Sequence, residues 1–423
     1  MWVVFLALVA APQATEAPRS SVTKRPAPRH AVALWSGEPG VVHFAVEAFP
    51  AGEDEAQPSA LEVTTVRVDN GNSAVARYDL PYRESSRVGV LAVEPKLGSE
   101  VDGASSGFPV FLALSGGHER VSVHRSELAA GALTWRPLTE AEPLTGFEYA
   151  HTGALTDDDG RISFLALRDL GGTAGDIVLL REGTKGSVRI ALPRRDQRPL
   201  RGGVVVIRLR TGPAFLVWTA GTEQATQLHI VTPDGVLQSS RRLPRFIGHV
   251  LAQEHRVADA KRLPVLLQTR TDEHRVRESV AVLDLESLVL GPEVWHGFVP
   301  PLELLELHTG YAEITGNEVR GVLAFGYGFF FSAHVVDLHV PRPTTELEPS
   351  EEEQSHRDLV VRSSGDLSLW AFAEWAPRAL ALKDGKVALL STVWGSDGDL
   401  ATQSLRVLAA VWDGEKAIYR SMH

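Results

Sequence analysis

A short, largely apolar segment recurs along this chain at near-constant intervals, and no other feature narrows the possible folds as much. It reads VVHFAV (41–46), VFLAL (110–114), SFLAL (163–167), AFLVW (214–218), VLLQT (265–269), VLAFG (322–326) and VALLS (387–391). With Phe111, Phe164, Phe215 and Leu266 taken as equivalent, the intervals are 53, 51 and 51 residues; Leu323 and Ala388 follow at 57 and 65. Internal distances hold too. Leu192-Pro193, Leu243-Pro244 and Val294-Trp295 each fall 28 residues after their landmark. A period of this length marks an array of supersecondary units. Length agrees, because 423 residues exceed the roughly 250 to 300 at which a single core stops growing.

The clearest unit is 202–244. VVVIRLR and AFLVW are β-rich runs broken at Thr211-Gly212-Pro213, TQLHIVT alternates polar and apolar residues, and Pro233-Asp234-Gly235 turns the chain into VLQSSRRL. That makes four short strands. The second strand is apolar on both sides, as a strand covered on both faces must be, whereas outer strands alternate, as in Val188, Ile190 and Leu192 around Arg189 and Ala191. Asp69-Asn70-Gly71, Gly131, Glu182-Gly183, Asp234-Gly235 and Asp413-Gly414 stand between third and fourth strands, where positive φ favours Gly or Asn. Leu-Pro closes the fourth strand, an edge position where proline's missing N–H removes no ladder bond; Leu80-Pro81 does so in the first unit.

Seven units follow: 30–81, 82–138, 146–193, 202–244, 247–295, 303–363 and 367–421. Residues 249–263 read either as one amphipathic helix or as strand and turn. This repeat resembles β-propellers in general across residues 30–421. The resemblance implies an all-β fold, a β-propeller of seven four-stranded blades with six or eight as alternatives, and loops gathered on one face around a central channel. WD dipeptides, kelch di-glycines and S-x-D-x-G-x-x-W boxes do not recur with the period, so no named family is implied.

Residues 2–11, WVVFLALVAA, are too short to span a bilayer, for which about 20 residues are needed, and suit a signal peptide over residues 1–14. A basic, proline-rich linker over 15–29 follows, and the single propeller domain is expected over 30–423. Export to the periplasm, cell surface or medium is the expectation, with no transmembrane segment in the mature chain. Cysteine is absent, which removes disulfides, thiolate metal sites and cysteine nucleophiles. Net charge is −11 and no long basic segment occurs, which argues against nucleic acid or an anionic membrane as partner. Residues 341–356, with five glutamates, form a polar insert that cannot pack and reads as a solvated loop.

Motifs that could carry chemistry are few. Gly103-Ala104-Ser105-Ser106-Gly107 matches G-x-S-x-G, but Phe108-Pro109 and a strand follow where the nucleophile elbow requires a helix. Asp157-Asp158-Asp159-Gly160 lacks the alternate spacing and distal acid of calcium loops and reads as a hairpin turn with solvated acids. His334 and His339, five apart on a strand, fall on opposite faces. No catalytic residue, metal site or cofactor is therefore expected. The reading is an exported, non-enzymatic binding or scaffold protein with a protein or glycan partner. Its expected contact residues are Tyr327, Phe329, Trp375 and Trp394, aromatics placed at loop positions on one face. The alternative is a hydrolase or lyase for a carbohydrate or lactone, with Glu140, Glu142, Asp169, Asp176 or Glu223 converging at the channel mouth.

Overall fold

The computed structural model describes residues 29–36, 38–48, 59–82, 87–93, 108–117, 120–139, 151–169, 175–192, 199–221, 225–250, 262–270, 276–298, 305–315, 318–327, 330–339, 359–363, 369–373, 378–382, 386–395, 404–413 and 417–422, with backbone pairing alone over 305–373. Consecutive strands build each sheet by antiparallel pairing. Sheet 1 is Arg29–Trp35, Val41–Ala48, Ala60–Arg67 and Ser73–Asp79; sheet 2 is Arg87–Ala92, Phe111–Gly117, Arg120–Ala129 and Ala132–Pro137. Sheet 3 is His151–Thr156, Ile162–Asp169, Gly175–Arg181 and Ser187–Ala191; sheet 4 is Pro199–Leu209, Gly212–Gly221, Thr226–Val231 and Leu237–Leu243. Sheet 5 is Phe246–Val250, Arg262–Arg270, Val276–Asp284 and Val289–Phe298. The remaining strands, from Leu305–Thr315 to Ala417–Met422, form one nine-stranded sheet.

Among the described residues the hydrophobic core is divided into layers, each between two neighbouring sheets. Phe111 of sheet 2 packs with Trp35, Leu61 and Leu80 of sheet 1. Phe164 of sheet 3 packs with Leu112 and Leu114 of sheet 2, and Phe215 of sheet 4 with Leu165 and Leu179 of sheet 3. Phe44 of sheet 1 packs with Leu390, Val407 and Val411 of the last sheet, and Arg262–Arg270 of sheet 5 runs beside Leu305–Thr315. The sheets therefore close into a ring, each a blade packed face to face on its neighbours, and the molecule is a β-propeller. Among the described residues, Phe44, Phe111, Phe164 and Phe215 are the four largest fully buried side chains. Phe111, Phe164 and Phe215, 53 and 51 residues apart, thus each wedge into the interface with the preceding blade.

Two expectations are corrected. The strands make six blades, not seven, because Leu369–Ala373 pairs on one side with Phe330 and Phe331 and on the other with Val393 to Gly395. That single strand joins the sixth and seventh sequence units in one sheet. Leu266 is not equivalent to Phe215. Val265 and Leu267 face blade 4, so Leu266, though fully buried, points the other way. A shift of one residue flips a strand side chain to the opposite face.

Residues 246–250 and 262–270 are strands, and 251–261, where a helix was the alternative, lie outside the described residues. So do the segments expected to be signal peptide and, up to residue 28, linker, together with Gly103 to Gly107 and the acidic insert. The strands flanking that insert, Phe330–His339 and Leu359–Ser363, pair with each other. It therefore occupies a third-to-fourth-strand connection, the site of the Gly-bearing turns elsewhere.

Candidate functional site

Alternating strand direction assigns the loops to two faces. First-to-second and third-to-fourth turns lie on one face, here the turn face; second-to-third loops and the links between blades lie on the other, the loop face.

Charged side chains on the turn face join blade to blade. Arg125 and Arg136 of blade 2 both pair with Glu182 of blade 3, and Arg136 also pairs with Glu127 at 2.6 Å. Arg181 pairs with Asp157 at 2.5 Å within blade 3 and with Asp234 in the turn of blade 4. In blade 4, Arg210 meets Glu286 at 2.8 Å, and Arg241 donates to the Ser287 carbonyl at 2.8 Å. The Asp157 stretch is the hairpin turn its sequence predicts, with the Asp157 carboxylate accepting from the amides of Asp159 and Arg161. The solvated-acid reading is corrected for Asp157, which is buried and ion-paired; Asp158 and Asp159 are exposed.

Protonation follows from these contacts. Burial alone would raise the Glu182 carboxyl, but the Ile162 amide and the guanidiniums of Arg125 and Arg136 outweigh it and hold it below its ordinary value. His43 and His124 are held below the ordinary imidazole value by burial. His43 Nδ1 stands 2.9 Å from Thr65 Oγ1 with its ring stacked on Trp35 at 5.0 Å, and His124 Nδ1 stands 3.5 Å from Ser115 Oγ. His229 Nδ1 and Ser240 Oγ form a third imidazole–hydroxyl pair, at 3.0 Å. Each joins adjacent strands of one blade. Among the described residues no three His, Asp or Glu side chains converge as a metal site would require, and no helix is long and apolar enough to cross a membrane.

At the loop-face end of blade 1, Tyr82 Oη donates to the buried Glu47 carboxylate at 2.6 Å, and His30 stands opposite Glu47 in the ladder. Sequence reasoning missed this pair, although one signal was present: an acid inside the otherwise apolar strand Val41–Ala48.

The expected contact residues divide as follows. Phe329 and Trp375 lie outside the described residues. Tyr327 ends its strand opposite Phe330, and Phe330 in turn pairs with Trp370. Two residues on, Phe372 pairs with Trp394. Opposed residues share a sheet face and so do residues two apart, so Tyr327, Phe330, Trp370, Phe372 and Trp394 fall on one face by register. Of the acids weighed for catalysis, Glu140, Glu142 and Glu223 lie outside the described residues. Asp169 and Asp176 flank the second-to-third loop of blade 3, opposite Gly175 and Arg168.

No family model matches this chain, and no curated protein does. Among solved structures, it is similar to the β-propeller domain of the Trilobed protease from Pyrococcus furiosus (10% identity, 92% of this chain and 98% of that one, TM-score 0.42). It is also similar to the periplasmic gluconolactonase of Pseudomonas aeruginosa (10% identity, 93% and 98%, TM-score 0.45). A third is the WD40 domain of SCAP from fission yeast (9% identity, 91% and 96%, TM-score 0.42).

Proposed function

We propose that this chain is an exported, non-enzymatic binding propeller that holds a protein or glycan partner through aromatic residues on its loop face. The observation that carries the reading is the register of Tyr327, Phe330, Trp370, Phe372 and Trp394 across the strand that joins the last two sequence units. Aromatic side chains give large contact area at low entropic cost and stack on apolar partner surfaces. Charge distribution supports the same division of labour, since the turn-face charges are engaged in contacts between blades.

The test is the double variant Tyr327→Ala/Trp394→Ala against an immobilised glycan panel and against extracellular protein extracts, with thermal unfolding as control. The expected outcome is binding weakened at least tenfold, about 1.4 kcal/mol, with the fold retained. Loss of about 3 to 5 kcal/mol of stability per residue instead would make the row blade packing.

Export rests on the apolar run 2–11 and the basic segment behind it. N-terminal sequencing of secreted material should find a mature chain beginning between residues 12 and 30; a full-length chain retained in the cytoplasm would refute export.

A further inference from the structure

Of the 423 residues only three are asparagine, and two of them, Asn70 and Asn72, flank one glycine in the third-to-fourth-strand turn of blade 1. Asn70 is exposed, and Gly71, with a φ of +72°, has no Cβ to shield its amide nitrogen. Asn70 Oδ1 accepts from the Asn72 amide at 2.9 Å. That hydrogen bond closes a ring that includes both the side-chain carbonyl carbon of Asn70 and the Gly71 nitrogen. The corresponding turns of blades 2, 3 and 4 hold Ala130-Gly131, Glu182-Gly183 and Asp234-Gly235, each glycine also at positive φ. Among these four turns, blade 1 alone sets a side-chain amide before its glycine. The turn also sits where the ring of blades closes: a Cβ on Gly71 would stand 2.6 Å from the Ile418 carbonyl oxygen, in the outer strand of the last blade.

We propose that Asn70 is a self-modifying site, at which attack by the Gly71 nitrogen converts the turn to an isoaspartyl link and loosens closure between blade 1 and the last blade. The Gly71 nitrogen, its proton lost to hydroxide, bonds to the side-chain carbonyl carbon of Asn70. The bond from that carbon to the side-chain nitrogen breaks, and the nitrogen takes up a proton and leaves as ammonia. A five-membered succinimide remains. Water then opens it at either carbonyl: cleavage at the original main-chain carbonyl gives isoaspartate, and cleavage at the other gives aspartate. Negative charge in the first step develops on Oδ1, to which the Asn72 amide already donates, so the donor stands where the oxyanion forms. The ion-paired carboxylates of Glu182 and Asp234 repel an attacking nitrogen and offer no neutral leaving group, so those turns react far more slowly. What opposes the reaction at Asn70 is release of the Gly71 amide from the Arg67 carbonyl, to which it donates at 2.8 Å. That bond lies in an exposed turn, where local opening costs least. Isoaspartate adds one carbon to the main chain and a negative charge beside Asp69. A turn that already abuts Ile418 has no room for the extra carbon, so the strain falls on the seam. The site does not depend on the aromatic row.

The test is to hold the full chain at neutral and at mildly alkaline pH and then digest it with trypsin; Arg67 and Arg77 bound a peptide, 68–77, that contains both asparagines. Mass spectrometry should find Asn70 converted to isoaspartate with a minority of aspartate, several-fold faster than Asn72 and faster at the higher pH. The aged chain should exchange amide hydrogens several-fold faster than fresh chain in Val41–Ala48 and Ser404–Trp412, the strands beside the seam. Asn70→Ser, whose hydroxyl can still accept from the Asn72 amide but which has no carbonyl carbon to attack, should keep its protection over the same interval. If that variant does not fold, Asn70→Asp, which lacks ammonia as a leaving group, takes its place. Asn70 that persists as the amide in the folded chain overturns the inference; reaction of a synthetic 68–77 peptide alongside would show that the Gly71–Arg67 bond protects the turn. A modified chain with unchanged exchange at the seam also overturns it, as does equal quickening in the variant, which would place the ageing elsewhere.

Discussion

Arg181 and Glu182, adjacent in sequence, fasten blade 3 to both its neighbours: Arg181 reaches Asp234 in blade 4, and Glu182 holds Arg125 and Arg136 of blade 2. Glu182 is mostly buried, with 14% of its side chain exposed, so its pairs are worth more than exposed ion pairs. Its carboxyl is depressed in the folded chain, so the folded state binds fewer protons than the unfolded one near that value. The resulting stability is present above the ordinary glutamate value of 4.5 and is lost as pH falls through the lower folded value. His43 and His124, also depressed, act in the same direction one window higher, where stability starts to fall below the ordinary imidazole value of 6.5. Glu182→Gln should therefore cost about 2 kcal/mol at neutral pH, by uncoupling two guanidiniums from their acceptor. It should also flatten the acid limb below pH 4.5 while leaving the limb near 6.5 intact. Denaturant unfolding across pH measures both; an unchanged acid limb would assign acid sensitivity to other carboxylates.

At the scale of elements, the sequence carried what depends on local pattern. Strand order, the four-strand unit and the Gly-bearing turns were legible because alternation, apolar runs and positive-φ residues are short-range signals; Gly183 and Gly235 do adopt positive φ. Facing was less legible. Spacing alone equated Leu266 with Phe215, but the facing residues are Val265 and Leu267, one position to either side, and a one-residue offset reverses the face. Blade count failed for a related reason. The five residues Leu369–Ala373 pair on both edges, and the choice of partner is a long-range event that alternation does not encode. The site shows the same split: the aromatics were visible as residue types, but their alignment across separate strands was not. The ion pairs between blades were not visible either, since Glu182 meets Arg125 across 57 residues.

Closure of the ring is a property of the whole molecule and rests on one seam. Among the described residues the first and last blades share no strand: blade 1 begins with its own first strand, Arg29–Trp35, and the last sheet ends with its own outer strand, Ala417–Met422. They are held by the layer around Phe44, whose ring stacks on Tyr419 at 5.9 Å, and by the turn at Gly71. That turn abuts the outer strand of the preceding blade, as the Gly235 turn abuts Val188. A Cβ on Gly71 would stand 2.6 Å from the Ile418 carbonyl oxygen, and its φ is +72°. Gly160 has a similar φ of +78°, but a Cβ there meets nothing within 4 Å. Alanine at either position carries the left-handed strain of about 1 to 2 kcal/mol, so the difference between the two variants isolates the seam. Gly71→Ala should be the more destabilising by at least about 1 kcal/mol, because backbone on the far side must move. Hydrogen exchange should quicken first in Val41–Ala48 and Ser404–Trp412, the strands flanking the seam, while the blade 3–4 interface keeps its protection. Equal losses of stability in the two variants, with exchange spread evenly round the ring, would show that closure is shared by all the interfaces and that the seam is no weaker than the rest.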